Sequence, residues 1–141
     1  MSHPTLIFKR AYLSFRRALE QTVKPFDFSV AQFDVLQILL HDDGLEHREL
    51  QRLLTIASPT LTNIVDVLEK RGHVTRRTDP NDARVKTIHM SAHAKKLCSS
   101  QEFYIAGDTL VSQMFKGFTG SERRAFLAAL ARIESNLDKV S

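Results

Sequence analysis

Ser58-Pro59-Thr60-Leu61-Thr62-Asn63-Ile64-Val65-Asp66-Val67-Leu68-Glu69-Lys70-Arg71-Gly72, followed by a basic stretch that ends at Met90, decides the fold. Both ends of a helix are written in it. Ser58 suits an N-cap, and Pro59 suits the first helical position, where no N–H is needed. Leu61, Ile64, Val65 and Leu68 recur at three- and four-residue steps and give one apolar stripe. Gly72 suits the C-terminal close. The opposite face carries Thr60, Asn63, Asp66 and Lys70, with Thr62 beside them. Short hydrogen-bonding side chains at a helix start suit contacts with base edges and phosphates in a major groove.

The period then changes. Val74-Thr75-Arg76-Arg77 reads as a strand, residues 78–83 are dense in turn formers, and Arg84 to Met90 returns as a second strand. Arg76, Arg77, Arg84 and Lys86 flank a turn whose acids are Asp79 and Asp82. A helix followed at once by a basic hairpin is the layout of a winged helix-turn-helix.

Here the sequence resembles the MarR family of transcriptional regulators. The resemblance rests on Thr60-x-Thr62, Leu68-Glu69, Gly72-x-Val74-x-Arg76 and Asp79-Pro80-Asn81-Asp82-x-Arg84, and it closes with Ile88-x-Met90-Ser91. The order of the flanking helices fits as well. Two positions depart from the family pattern. His73 stands where a bulky apolar residue is usual, and His47 where Ser or Thr often opens the preceding helix.

Outward from this core, residues 5–23 read as a first helix ended by Pro25. Phe28-Ser29 opens a second, with Ser29 and Gln32 spaced for a capping box and with Phe33, Leu36, Leu39 and Leu40 as its core face. A turn at residues 41–44 leads to Leu45, which is placed to pair with the wing. Residues 47–54 form a short helix with Leu50, Leu53 and Leu54 inward. A three-residue turn then reaches the recognition helix, which is helix-turn-helix spacing. After the wing, Ser91 caps a long helix that runs to about Lys116. Thr119 and Glu122 form another capping box. The last helix buries Phe126, Leu130, Ile133 and Leu137.

The expected fold class is mainly α with a small β-hairpin wing. Residues 27–90 form the DNA-binding lobe, and residues 1–26 with 91–141 form a helical lobe. The terminal apolar faces lie far from the winged-helix core, so a second copy is the economical way to bury them. The resemblance implies the same homodimer.

Composition bounds the function. The chain has 141 residues, a 43% apolar fraction and a net charge of +4. Residues 70–96 hold eight basic groups and two acids, so they carry +6 and the rest carries −2. A basic stripe on a balanced chain is an electrostatic footprint for nucleic acid, although a solvated basic face looks the same from charge alone. The apolar runs are too short to span a bilayer, and no secretory signal opens the chain, so a cytoplasmic location is expected. Catalytic motifs are lacking: there is no Gly-rich phosphate loop and no GxSxG, and no cofactor is expected.

The expected DNA contacts are Thr60, Thr62 and Asn63 to bases and Arg84 to the minor groove, with Asp82 orienting Arg84 or Arg76. Arg76, Arg77 and Lys86 go to phosphates, joined by Ser58, Arg48 and Gln32 at helix starts. The resemblance further implies a small aromatic or phenolic effector. Tyr12, Arg16, Phe33 and Gln37 are candidates to line its crevice, against the plainer reading of a surface Arg beside core aromatics. His41 with Asp42, Asp43 and Glu46 is the nearest approach to a metal cluster, and a solvated turn is the simpler reading. Cys98 follows Lys95 and Lys96, which favour thiolate, but a lone buried Cys is the commoner outcome. The rival reading of the whole chain is a winged helix used as a protein-interaction module.

Overall fold

The computed structural model describes residues 3–138. Helix α1 runs Pro4–Val23, capped by the His3 side chain and with Pro at its start. Pro25 lacks an N–H and disfavours α geometry at the residue before it. The chain tightens there into a 3-10 turn, Lys24–Phe26, closed by Asp27 in the left-handed region at φ 60°. Helix α2, Val30–His41, carries the full Ser29–Gln32 capping box. Strand β1 is Leu45–Glu46, helix α3 His47–Leu54 and helix α4 Ser58–Lys70. Strands β2, Val74–Asp79, and β3, Asp82–Met90, make the wing. Helices α5, Ala92–Cys98, α6, Gln101–Met114, and α7, Gly120–Asp138, complete the chain.

The sheet order is β1-β3-β2, with both pairings antiparallel. Leu45 pairs with Ile88 as expected, and Arg76 stands opposite Ile88 on the other side. One apolar core joins these elements: Val35, Leu36, Leu39, Leu50, Leu61, Val65, Leu68, Val74 and Ile88 are all essentially sealed from solvent. Each such side chain stabilises the fold by roughly 1.5–3 kcal/mol on transfer from water. This core fixes α4 against α2, α3 and the root of the wing, and so sets the angle at which its outer face is presented.

Several expectations change. Ala57, not Ser58, is the N-cap of α4, with no side-chain cap bond; Ser58 and Pro59 are already helical. The six-residue wing turn shrinks to Pro80-Asn81. Asp79 Oδ1 accepts from the Asn81 N–H at 2.7 Å and lets Asp79 pair with Asp82. Leu40 and Leu53, expected inward, are 40% and 46% exposed. The single long helix after the wing is two helices. Ser100 Oγ accepts from the Phe103 N–H at 3.2 Å and caps α6, so the seryl side chain supplies locally what a continuous helix would.

The chain forms two compact units, Met1–Gly107 and Asp108–Ser141. In the first, Leu19 and Val23 bury the C-terminal half of α1, while Leu6, Ile7, Phe8, Tyr12 and Leu13 leave its N-terminal half apolar and exposed. In the second, Thr119 and Glu122 complete their capping box, and Phe115, Phe118 and Phe126 meet edge to face. Phe126, Ile133 and Leu137, expected to be buried, are 41%, 42% and 62% exposed within one chain. Among the described residues, no helix is long and apolar enough to cross a membrane.

Candidate nucleic-acid interface

Helix α3 and helix α4 are joined through Thr55, whose φ of 55° turns the chain sharply. Residues Thr60, Thr62 and Asn63 lie exposed on the outer face of α4, and Ser58 is exposed at its start. Thr62 Oγ1 donates to the Ser58 carbonyl at 3.0 Å, a back-bond that fixes its rotamer. His47, the first residue of α3, shares a 3.2 Å hydrogen bond between its Nε2 and Ser58 Oγ. Arg48 is exposed beside it, with Nη2 3.1 Å from Glu46 Oε2. Gln32 is half-buried and tied to its neighbours. Its Oε1 accepts from the Ser29 N–H at 3.0 Å and from Arg71 at 3.3 Å, and it lines a shallow cleft with Lys24, Ser29 and Arg71.

The wing tip is built around one charged fork. Arg84 Nε donates to Asp82 Oδ1 and Nη2 to Oδ2, each at 3.1 Å, and the Arg84 N–H adds a third bond at 3.0 Å. The Arg84 side chain is nonetheless 90% exposed. Its guanidinium holds the Asp82 carboxyl below the usual carboxylate range, together with the Arg84 N–H. A bidentate pair of this kind fixes direction more than it adds stability at a solvated site. Lys86 Nζ donates to Thr78 Oγ1 at 2.8 Å, and Arg77 is exposed on β2.

Arg76 is engaged differently from its basic neighbours. Its Nη2 donates to Asp66 Oδ1 at 2.6 Å and to the Thr62 carbonyl at 3.3 Å, and its Nη1 donates to Glu69 Oε1 at 2.9 Å. Glu69 also accepts the Arg76 N–H at 3.2 Å. The side chain is only 24% exposed. Arg76 therefore bolts β2 to the outer side of α4. The Asp66 and Glu69 anchors were missed by sequence reasoning, which put Asp66 on the open face. Their three-residue spacing on one helical turn was the available signal; the return of β2 across that turn was not visible in the sequence.

Of the candidate crevice residues, Tyr12 and Arg16 lie together on α1, one turn apart. Hydrogen bonding to Tyr12 is the main cause that raises the Arg16 guanidinium above its ordinary value, with Glu20 at 3.5 Å adding to it. Asp34 of α2, not foreseen, faces Arg16. Burial pushes its carboxyl up, and the Arg16 charge pulls it back. Phe33 instead meets Phe103 of α6, ring centroids 6.0 Å apart, and Gln37 is half-buried. Cys98 is half-buried, and burial raises its thiol rather than lowering it; Lys95 is drawn off to Asp43 at 3.4 Å. Among the described residues, no three of His, Cys, Asp and Glu are grouped to hold a metal ion.

The MarR family model matches residues 28–86, from just ahead of α2 into the middle of β3. The chain is similar to the HTH-type transcriptional regulator TtmR of Methylorubrum extorquens, 30% identical over 127 residues that cover 88% of this chain and 62% of that protein. It is also similar to the multiple antibiotic resistance protein MarR of Escherichia coli, 28% identical over 106 residues that cover 75% of this chain and 73% of that one. The match thus spans less than two thirds of TtmR and somewhat more of MarR. In fold, the chain is similar to a crystal structure of mutant MarR from Escherichia coli complexed with operator DNA. The TM-score is 0.82 at 24% identity, with 92% of this chain and 91% of that chain covered.

Proposed function

On the premise that the chain belongs to the MarR family, we propose that it is a sequence-specific regulator of transcription that binds double-stranded DNA as a homodimer. The observation that carries this reading is the pairing of an exposed, short-polar helix face with an aimed arginine beside it. Thr60, Thr62 and Asn63 stand open on α4, and Arg84 stands open on the adjoining wing in the grip of Asp82. In this reading α4 enters the major groove and those three side chains meet base edges. Arg84 enters the minor groove, where narrow A·T-rich segments concentrate negative potential. Arg77, Lys86, Arg48 and Ser58 meet phosphates, which set register and affinity without reading sequence. Arg76 serves as a brace, because both of its arms are already occupied. The operator DNA held by the similar Escherichia coli protein supports a duplex as the partner.

Residues 1–26 and 91–141 act as the dimerisation lobe and residues 27–90 as the DNA-binding lobe. Support for the dimer is the apolar surface left open on α1 and α7, including Phe8, Leu13, Leu127 and Ile133. A small aromatic or phenolic effector bound near Tyr12, Arg16, Phe33 and Gln37 would shift the spacing of the two recognition helices and so change DNA affinity. Asp34 belongs with that set, since it opposes Arg16 and would compete with an effector carboxylate for it.

The test is selection of bound duplexes from a random pool, followed by footprinting. The expected outcome is a pseudo-palindrome with half-site centres about 10 bp apart or a multiple of it. Recovery of no preferred sequence, or of a single asymmetric half-site, overturns the reading.

A further inference from the structure

The wing is rooted by a histidine in an unusual setting. His73 follows Gly72, whose φ of 76° closes α4, and it precedes the first wing strand. It is 3% exposed, the one buried polar residue of the described chain. Its Nδ1 is sealed from solvent and has no hydrogen-bond partner. Two aromatic rings pack on the imidazole. His93 of α5 stacks on it, with centroids 5.1 Å apart and planes 18° apart. Phe28, ahead of α2, meets it edge-on at 5.1 Å. Arg71, at the end of α4, lies over the Phe28 ring at 5.0 Å.

The backbone at this point holds three elements together. The His73 N–H donates to the Leu68 carbonyl at 2.9 Å, and the His73 carbonyl accepts from the Ser91 N–H at 2.9 Å. Ser91 Oγ donates to the Gly72 carbonyl at 2.6 Å and also caps α5. A shift of the His73 ring would therefore be felt at the end of α4, at the Val74–Met90 pair and at the start of α5.

We propose that the His73–His93 stack is a proton-sensitive latch at the root of the wing: neutral, it holds wing and recognition helix in register, and acidification opens it and weakens DNA binding. The DNA part rests on the function proposed above. The physical reason is the unpartnered nitrogen. A neutral ring can leave Nδ1 as a bare acceptor, whereas a protonated ring carries an N–H there as well, in a sealed position that offers no acceptor. The charged groups facing the ring make this worse. Arg71 and His93 are both cationic when charged, and the acid in that network, Asp27, has a 97% exposed side chain and engages Arg71 at 3.6 Å. His93 is exposed, so water reaches the stack from its side.

Burial first, then Arg71 and His93, lowers the His73 imidazole below its ordinary value of 6.5. The sign follows. Well above pH 6.5 the ring is neutral folded or unfolded. As the pH falls below that, the unfolded chain takes up the proton first, so the folded state loses stability down to the lowered native value.

The test uses the full chain. Urea unfolding from pH 8 to pH 5.5, with no DNA present, is compared between the parent and His73→Phe, which keeps a ring in the slot. The parent is expected to lose stability on acidification more steeply than the variant. Parallel pH slopes overturn the latch. Histidine-ring NMR of the unaltered chain covers the case in which the variant does not fold. There the His73 signal is expected to stay neutral through pH 6.5, and a signal that titrates there overturns the proposal. A duplex selected by the parent at pH 8 then reports the DNA part. Its affinity is expected to fall by at least about fivefold at pH 5.5 relative to His73→Phe, the lower end of ordinary coupling between sites. An equal response overturns the link to DNA. Failure to select any duplex at pH 8 counts against the proposed function alone and leaves the unfolding result standing.

Discussion

Arg76→Ala distinguishes a brace from a phosphate contact. The substitution removes three side-chain hydrogen bonds, to Asp66, Glu69 and the Thr62 carbonyl. Charge-assisted bonds in a buried setting contribute about 1.5–3 kcal/mol each, and exposed pairs about 0.2–1 kcal/mol. Arg76 is 24% exposed, but Asp66 and Glu69 are 53% and 43% exposed, so the lower scale governs most of the sum. The expected loss of folding stability is about 1–2 kcal/mol once screening is allowed for. DNA affinity should fall at every salt concentration, because the wing is no longer held at its angle. The salt slope should not change, because no phosphate contact is lost. Arg77→Ala is the control. It should leave stability within about 0.5 kcal/mol and lower the slope of log K against log salt by about 0.9. The assay is fluorescence anisotropy on one selected duplex from 50 to 200 mM salt, with urea unfolding of the same samples. A slope that drops by about one unit in Arg76→Ala, with unchanged stability, refutes the brace and returns Arg76 to the phosphates.

Arg84→Ala should leave the urea midpoint unchanged, since the side chain is 90% exposed, yet reduce the preference for A·T-rich flanks; equal binding to every flank refutes the minor-groove assignment. Replacing Leu127 and Ile133 together by Asp should convert a dimer to monomer in sedimentation, since each apolar side chain buried at an interface contributes roughly 1.5–3 kcal/mol; a double variant that stays dimeric shows that α7 is not in the interface. Asp34→Asn should stabilise the chain relative to the parent at pH 7 but not at pH 3.5. Burial raises the folded-state carboxyl of Asp34, so the native parent holds its proton longer than the unfolded chain and loses stability as pH rises above 3.8. A variant whose unfolding midpoint tracks the parent at both values refutes a net burial cost at the Asp34 carboxylate.

Local signals carried far in this chain. The Ser29–Gln32 and Thr119–Glu122 boxes follow from side chains that bond within three residues, and the span of α3 from the three- and four-residue steps of Leu50, Leu53 and Leu54. At two places where expectation failed, the competing interaction was another local one. Ser100 caps its own helix and splits the long one expected, and the Asp79 side chain tightens the wing turn. Neither seryl nor aspartyl bonding is encoded by apolar periodicity.

The sequence by itself determined most of the elements before and within the wing, the stripe that α4 buries and the charge that follows it, because helix and strand periods and capping are properties of neighbouring residues. Tertiary structure decided what the charged and polar groups do. Four basic residues on the wing read alike along the chain, yet Arg76 is tied to α4 while Arg84 is aimed outward by Asp82. His73 stands out in the sequence only by its departure from the family pattern, and the packing of Phe28 and His93 around it is what leaves its Nδ1 without a partner. The physical reason is that desolvation and partnering are set by what other segments bring within a few ångströms, and that distance is absent from any local pattern.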